Sequence, residues 1–192
     1  QDVRPAQLYQ LPRETLELRR LVGARRVGAG VHVVPLRDDR RQPAAVDDDA
    51  VQQATAKMLE GGAVQIVVNN AGIHDDAVFP GMKPGQWQRV IDVSLNGFFR
   101  VTQPLVLPML RTRWGRIVSM SSVAGVIGNR GQANYAAAKA GLHGASKSLA
   151  LECASRGVTV NVVAPGIIAT PMAEHAFSQE QKVAGPMFIS GI

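Results

Sequence analysis

The chain has a single cysteine, Cys153, among 192 residues. That excludes an internal disulfide, and no Cys/His spacing suggests a metal site. Long apolar runs are missing too. No stretch of about 18 apolar residues occurs without a charge, which argues against a membrane span. The start of the chain shows no basic stretch leading into an apolar one, so no secretory leader is expected. Histidine is scarce: His32, His74, His143 and His175 are scattered, each read as a surface or packing residue. No repeat, low-complexity tract or linker interrupts the chain, and its length suits one domain over residues 1–192. A cytoplasmic enzyme is the expectation.

Acidic side chains are the minority, 15 against 21 lysines and arginines, for a net charge of +6. Such an excess invites a nucleic-acid reading. The distribution argues against it. Nine of the sixteen arginines lie between Arg4 and Arg41, the stretch with the least fold signal. The others are spaced singly, with no aromatic platform or basic helix. A basic surface attracts an acidic protein equally well.

From Asp47 onward the periodicities are clear. Asp48 to Glu60 reads as an amphipathic helix with Val51, Ala54, Met58 and Leu59 as its apolar stripe, ended by Gly61-Gly62. Val64 to Val68 is a continuous apolar run of strand length, the pattern of a central parallel strand. Gln86 to Met109 reads as one long helix, with Trp87, Val90, Ile91, Phe98 and Val101 spaced for burial. Gly115 to Met120 and Val158 to Val163 read as two further buried strands. Between them, a helix carries Tyr135 and runs to about Ser155, closed by Arg156-Gly157. Strands alternating with helices argue a doubly wound, mostly parallel α/β sheet.

The chemistry concentrates in Ser121 to Lys139, SSVAGVIGNRGQANYAAAK. Tyr135 and Lys139 are four apart in an Ala-rich helical run, so both side chains share one face. An ammonium beside a phenol favours the phenolate, drawing the tyrosine pKa below its free value of about 10. A tyrosine tuned that way passes a proton near neutral pH. Ser122 follows a strand's carboxyl end, where ligands collect in α/β sheets, and can hydrogen-bond the same substrate oxygen. A Tyr-x-x-x-Lys pair alone is common on helices. Its company decides: NNAG (Asn69 to Gly72), SS and APG (Ala164 to Gly166) each follow a strand.

In that order, these motifs resemble the short-chain dehydrogenase/reductase family. The run GNRGQANYAAAKAGLHGASKSLALECASRGVTVNVVAPG is similar to its 3-oxoacyl-acyl-carrier-protein reductase branch. The likeness covers about Asp47 to Met172; residues 1–45 and 177–192 match poorly. The resemblance implies reduction of a 3-oxoacyl thioester by hydride from a nicotinamide cofactor, NADPH, with NADH left open. Tyr135 would be the general acid, Lys139 its tuner and a ligand of the nicotinamide ribose, and Ser122 the group positioning the carbonyl. Asn69, Ala71 and Gly72 would lie against the adenosine half, and Pro165, Gly166, Ile168 and Thr170 against the nicotinamide. The family often places an asparagine where this chain has Ser94 in DVSLNG; Asn96, two residues on, points elsewhere on a helix. Ser94 then takes over holding a water of the proton relay.

Two further implications concern the ends and the surface. The family's glycine loop follows its first strand, yet Gly23, Gly28 and Gly30 are one residue off its spacing and lead into a strand, Val31 to Pro35. The first strand and loop are therefore read as absent or unrecognisable, with weak cofactor binding as the expectation. Arg37 stands where it would pair with a 2′-phosphate or remain a solvated surface residue. Arg113 and Arg156 match arginines with which the branch docks its acidic acyl carrier protein, and family habit implies a homo-oligomer, tetramer or dimer. Two alternatives stay open: another alcohol or ketone dehydrogenase of the family, and a cofactor-free chain that only assembles with subunits.

Overall fold

Among the described residues, the first helix is α1 (Asp48–Leu59). It buries Val51 of the expected stripe and, one turn on, Thr55, which was not part of it. Ala54, Met58 and Leu59 are half-buried. The Thr55 hydroxyl is satisfied by the Val51 carbonyl at 2.9 Å. The computed structural model describes residues 48–166 and the backbone of Phe188–Gly191. Four strands, β1 (Ile66–Asn69), β2 (Gly115–Met120), β3 (Val158–Ala164) and β4 (Phe188–Gly191), form one sheet in that order. β1, β2 and β3 run parallel, and β4 runs antiparallel beside β3. This is the mostly parallel α/β sheet expected of a Rossmann-like fold. The segment read as a poor match at the chain's end supplies its antiparallel strand. The readings placed on Gly23, Gly28, Gly30, Val31 to Pro35, Arg37, Ile168 and Thr170 lie outside the described residues.

Side-chain alternation fixes which face of the sheet meets the helices. Along β2, Gly115, Ile117 and Ser119 are buried while Arg116, Val118 and Met120 are less so. β3 repeats the pattern with Val158, Val160, Val162 and Ala164. These faces join Val64, Val67, Leu105, Met109, Ala150 and Cys153 in one apolar core, with Met58 and Leu59 of α1 packed against it. Each fully buried side chain of this size contributes roughly 1.5–3 kcal/mol.

The long helix read over Gln86 to Met109 is three pieces. α2 (Pro84–Ile91) opens with proline at its first position, where the missing N–H costs nothing. A π-helical turn follows over Asp92–Asn96, and α3 (Gly97–Thr112) continues. After β2 comes a single turn, α4 (Ala124–Ile127). The long helix α5 (Ala133–Cys153) then crosses to β3.

Gly157, at the end of that crossover, must be glycine for two reasons. Its φ is +69°, and an added Cβ would lie 2.5 Å from the Arg113 carbonyl oxygen. Backbone at that distance cannot yield cheaply. Gly144, in the middle of α5, has open space around an added Cβ and no positive φ. Gly157→Ala should therefore lose about 2 kcal/mol or more. Gly144→Ala should gain roughly 0.5–1 kcal/mol by helix propensity. Urea unfolding of both variants checks the pair; equal effects would contradict the backbone placement.

Candidate active site

The carboxyl ends of the parallel strands lie side by side, Asn69 opposite Ser119 and Met120 opposite Val163. NNAG, Ser121-Ser122 and Ala164-Pro165-Gly166 continue from these ends. Pro165 is tied to the segment after Ser122, since its carbonyl accepts the Val123 N–H at 2.9 Å. α5 lies across this edge with Tyr135, Lys139 and His143 at four-residue spacing on one stripe.

Lys139 is the centre of the arrangement. Only 4% of it is exposed, and its ammonium donates to the Met120 carbonyl at 2.8 Å. Nζ also lies 5.6 Å from the centroid of the half-buried Tyr135 ring. Burial disfavours the charge and lowers the Lys139 pKa from 10.5 to about 8. At neutral pH the group is still mostly an ammonium. Gly72 makes room for it: a Cβ there would come 2.9 Å from Nζ and 3.5 Å from the Ser94 hydroxyl. Ser94, carried on the π turn, is buried, and its hydroxyl has no hydrogen-bond partner among the described residues. Asn96 turns away, its amide donating to the Asp92 carboxylate.

Ser122 accepts the Ala124 N–H at 3.2 Å, which orients its side chain and starts α4. Among the described residues, its own O–H has no acceptor. Gly125 of α4 seats against the backbone of α5, since a Cβ there would lie 2.8 Å from the Lys139 carbonyl carbon. Tyr135 is oriented from its own N-terminal side. The buried Asn134 accepts the Tyr135 N–H at 2.8 Å and donates to the carbonyls of Asp75 and Gln86 at 2.9 and 3.1 Å. The loop before α5 is pinned in turn by Gln132 to Asp76 at 2.9 Å and by the Ala77 N–H to Gly131 at 2.8 Å. Asn134 was missed in the sequence because a polar residue before a helical run reads as an ordinary helix start.

The remaining residues sort by which end of the sheet they occupy. Ala71 and Gly72 follow β1 at the site edge, while the Asn69 amide faces inward and donates to the Thr102 hydroxyl at 2.9 Å. Arg113 and Arg156, which the resemblance implies as carrier-docking residues, lie at the other end of the sheet from Ser122 within this chain. They precede β2 and β3, so about 20 Å of strand separates them from Ser122 within this chain. Arg113 caps α3 in the left-handed conformation, φ 54°, and donates to the Ser155 carbonyl at 3.1 Å. Both arginines sit at the amino ends of strands, where they join two connections of the fold.

Comparison with known proteins agrees with this geometry. A model of the short chain dehydrogenase family matches residues 13–181. The chain is 53% identical over 137 residues to the 3-oxoacyl-[acyl-carrier-protein] reductase FabG of Escherichia coli (strain K12), covering 71% of this chain and 56% of the relative. It is 48% identical over 129 residues to the protein of the same name from Thermotoga maritima, covering 67% and 52%. Nodulation protein G of Rhizobium sp. (strain N33) is 49% identical over 135 residues, covering 70% and 54%. The chain spans about half the length of the curated relatives it matches.

The buried lysine gives a test that needs no activity. Its folded pKa, about 8, lies below the 10.5 of an ordinary lysine. Below pH 8 both states hold the proton, and folding bears the full cost of burying it. Between the two values the unfolded state binds more protons, so stability rises with pH. Relative to Lys139→Met, the wild type should gain up to about 3 kcal/mol across that window. Urea unfolding at a series of pH values measures this; a flat difference would contradict the buried ammonium.

Proposed function

The chain belongs to the short-chain dehydrogenase family, and from that premise we propose that it reduces a 3-oxoacyl thioester to the 3-hydroxyacyl form. The observation that carries the reading is the Lys139 ammonium, buried against Met120 and beside the Tyr135 ring at the strand ends. The acyl carrier protein in the names of two relatives supports a carrier-linked substrate. NADPH is the proposed cofactor, and the cytoplasm the proposed compartment.

The described residues fit the nicotinamide half of such a cofactor. Gly72 keeps open the space beside Nζ, where any side chain would intrude. Lys139 spends one N–H on Met120 and has two more for a ribose hydroxyl. The unpartnered Ser94 hydroxyl faces the same space. Ala71 and Gly72 would line the adenosine side, and Pro165 and Gly166 the nicotinamide side. When bound, the reduced nicotinamide supplies the hydride to the ketone carbon.

The side chains supply the rest. Ser122 donates its O–H to the ketone oxygen and holds it toward Tyr135. As negative charge develops on that oxygen, the Tyr135 phenol delivers its proton, giving the alcohol and a phenolate. The nearby ammonium stabilises that phenolate. Ser94, buried beside Lys139, is positioned to pass a proton back from solvent through a held water. Lys139 thus serves both the acid and the cofactor, which accounts for keeping a charge where burial opposes it.

Tyr135→Phe should lower turnover of an acetoacetyl thioester about 10²–10⁴-fold while unfolding as the wild type does. Ser122→Ala should cost roughly 10²-fold. Oxidation of reduced nicotinamide, followed with and without thioester, reads both. A Tyr135→Phe protein that keeps most of its turnover would sink the assignment.

A further inference from the structure

Ser121 and His143 serve none of the roles above, yet they meet at the centre of the site. Ser121 is 6% exposed, and its N–H extends the ladder to the Val163 carbonyl at 2.7 Å. Its hydroxyl lies 2.8 Å from the Lys139 carbonyl oxygen and 2.9 Å from Nε2 of His143. A hydroxyl has one proton, and a carbonyl oxygen only accepts. The Ser121 proton therefore goes to Lys139, and the imidazole must bring its own proton on Nε2. The hydrogen bonds run in one direction, from His143 through Ser121 to the Lys139 carbonyl.

That direction matters because Lys139 is gripped at both ends by consecutive residues of one strand end. Met120 accepts from its Nζ, and Ser121 donates to its carbonyl. Ser122 is the next residue. We propose that His143 and Ser121 form a positioning pair that fixes α5 at Lys139 against the end of β2. The pair sets the ammonium, the Tyr135 ring one turn before it and the Ser122 hydroxyl in one register. The imidazole locks the Ser121 rotamer; without its N–H, the hydroxyl is free to turn from the carbonyl, and only the Nζ contact then joins the Lys139 side chain to β2. A serine–histidine contact elsewhere suggests a nucleophile and its base. Here the serine proton is committed to a carbonyl, so the pair orients and does not attack.

The kinetic arm of the test rests on the proposed reductase activity; the spectroscopic arm does not. Nitrogen NMR of the wild-type chain near neutral pH should show His143 with its proton on Nε2 and bonded. The Nδ1–H tautomer would overturn the pair, whatever the activity. In turnover of an acetoacetyl thioester, His143→Leu should lower kcat about tenfold or more, since a displacement of about 1 Å can cost 10²-fold. KM should stay within about twofold, because no substrate contact is lost. His143→Gln, whose amide N–H can replace Nε2–H, should recover most of the loss, which mere packing would not explain. Wild-type kcat in His143→Leu, or equal losses in both variants, would overturn the positioning role. A wild type that shows the Nε2–H tautomer but no turnover would strike the reductase reading and uphold the contact itself.

Discussion

Keeping an ammonium inside the protein is the constraint on which the site depends. Lys139 is 4% exposed, and burial alone lowers its pKa to about 8. An uncompensated buried charge costs several kcal/mol, so its surroundings must answer it. The Met120 carbonyl does so directly, and the Tyr135 ring lies alongside. The main chain must then come close from two sides. Gly72 leaves room for the ammonium, and Gly125 lets α4 rest on the α5 backbone at the same residue. A side chain at Gly125 would meet the α5 backbone itself, and one at Gly72 the end of the Lys139 side chain.

What was legible in the sequence was whatever has a period or a short-range signature. The strand over Gly115 to Met120 and the four-residue spacing of Tyr135 and Lys139 both appear as read, because each is set by backbone geometry within one element. β1 was read two residues early, as Val64 to Val68. Val64 is indeed buried, but the ladder runs over Ile66–Asn69, and burial alone does not tell where pairing begins. The π turn at Asp92–Asn96 was not legible, since an apolar stripe at helical spacing runs through it. Such turns often mark functional sites, and this one carries Ser94 inward.

Long-range hydrogen bonds were the other blind spot. Asn134, Ser121 and His143 act through carbonyls 18 or more residues away, or through each other. His143 was read as a scattered histidine, although its position four residues after Lys139 places it on the same stripe. The two arginines named for carrier docking lie at the other end of the sheet from Ser122. Arg113 and Arg156 are each next in sequence to an element that carries a site residue, but at its far end. Adjacency along a strand of six residues is distance in space.

The proposed chemistry turns on where the Lys139 ammonium sits, and Gly72→Ala tests that most directly. The added methyl would press on the far end of a flexible side chain, 2.9 Å from Nζ, and not on backbone. The fold can still close, but the ammonium loses its Met120 acceptor, so stability should fall by roughly 1–3 kcal/mol. The ammonium, pushed from Met120 and from the Tyr135 ring, should no longer serve the acid, and kcat at saturating cofactor and thioester should fall about tenfold or more. Unchanged kcat in the folded variant would show that the placement of Lys139 is not what the chemistry depends on.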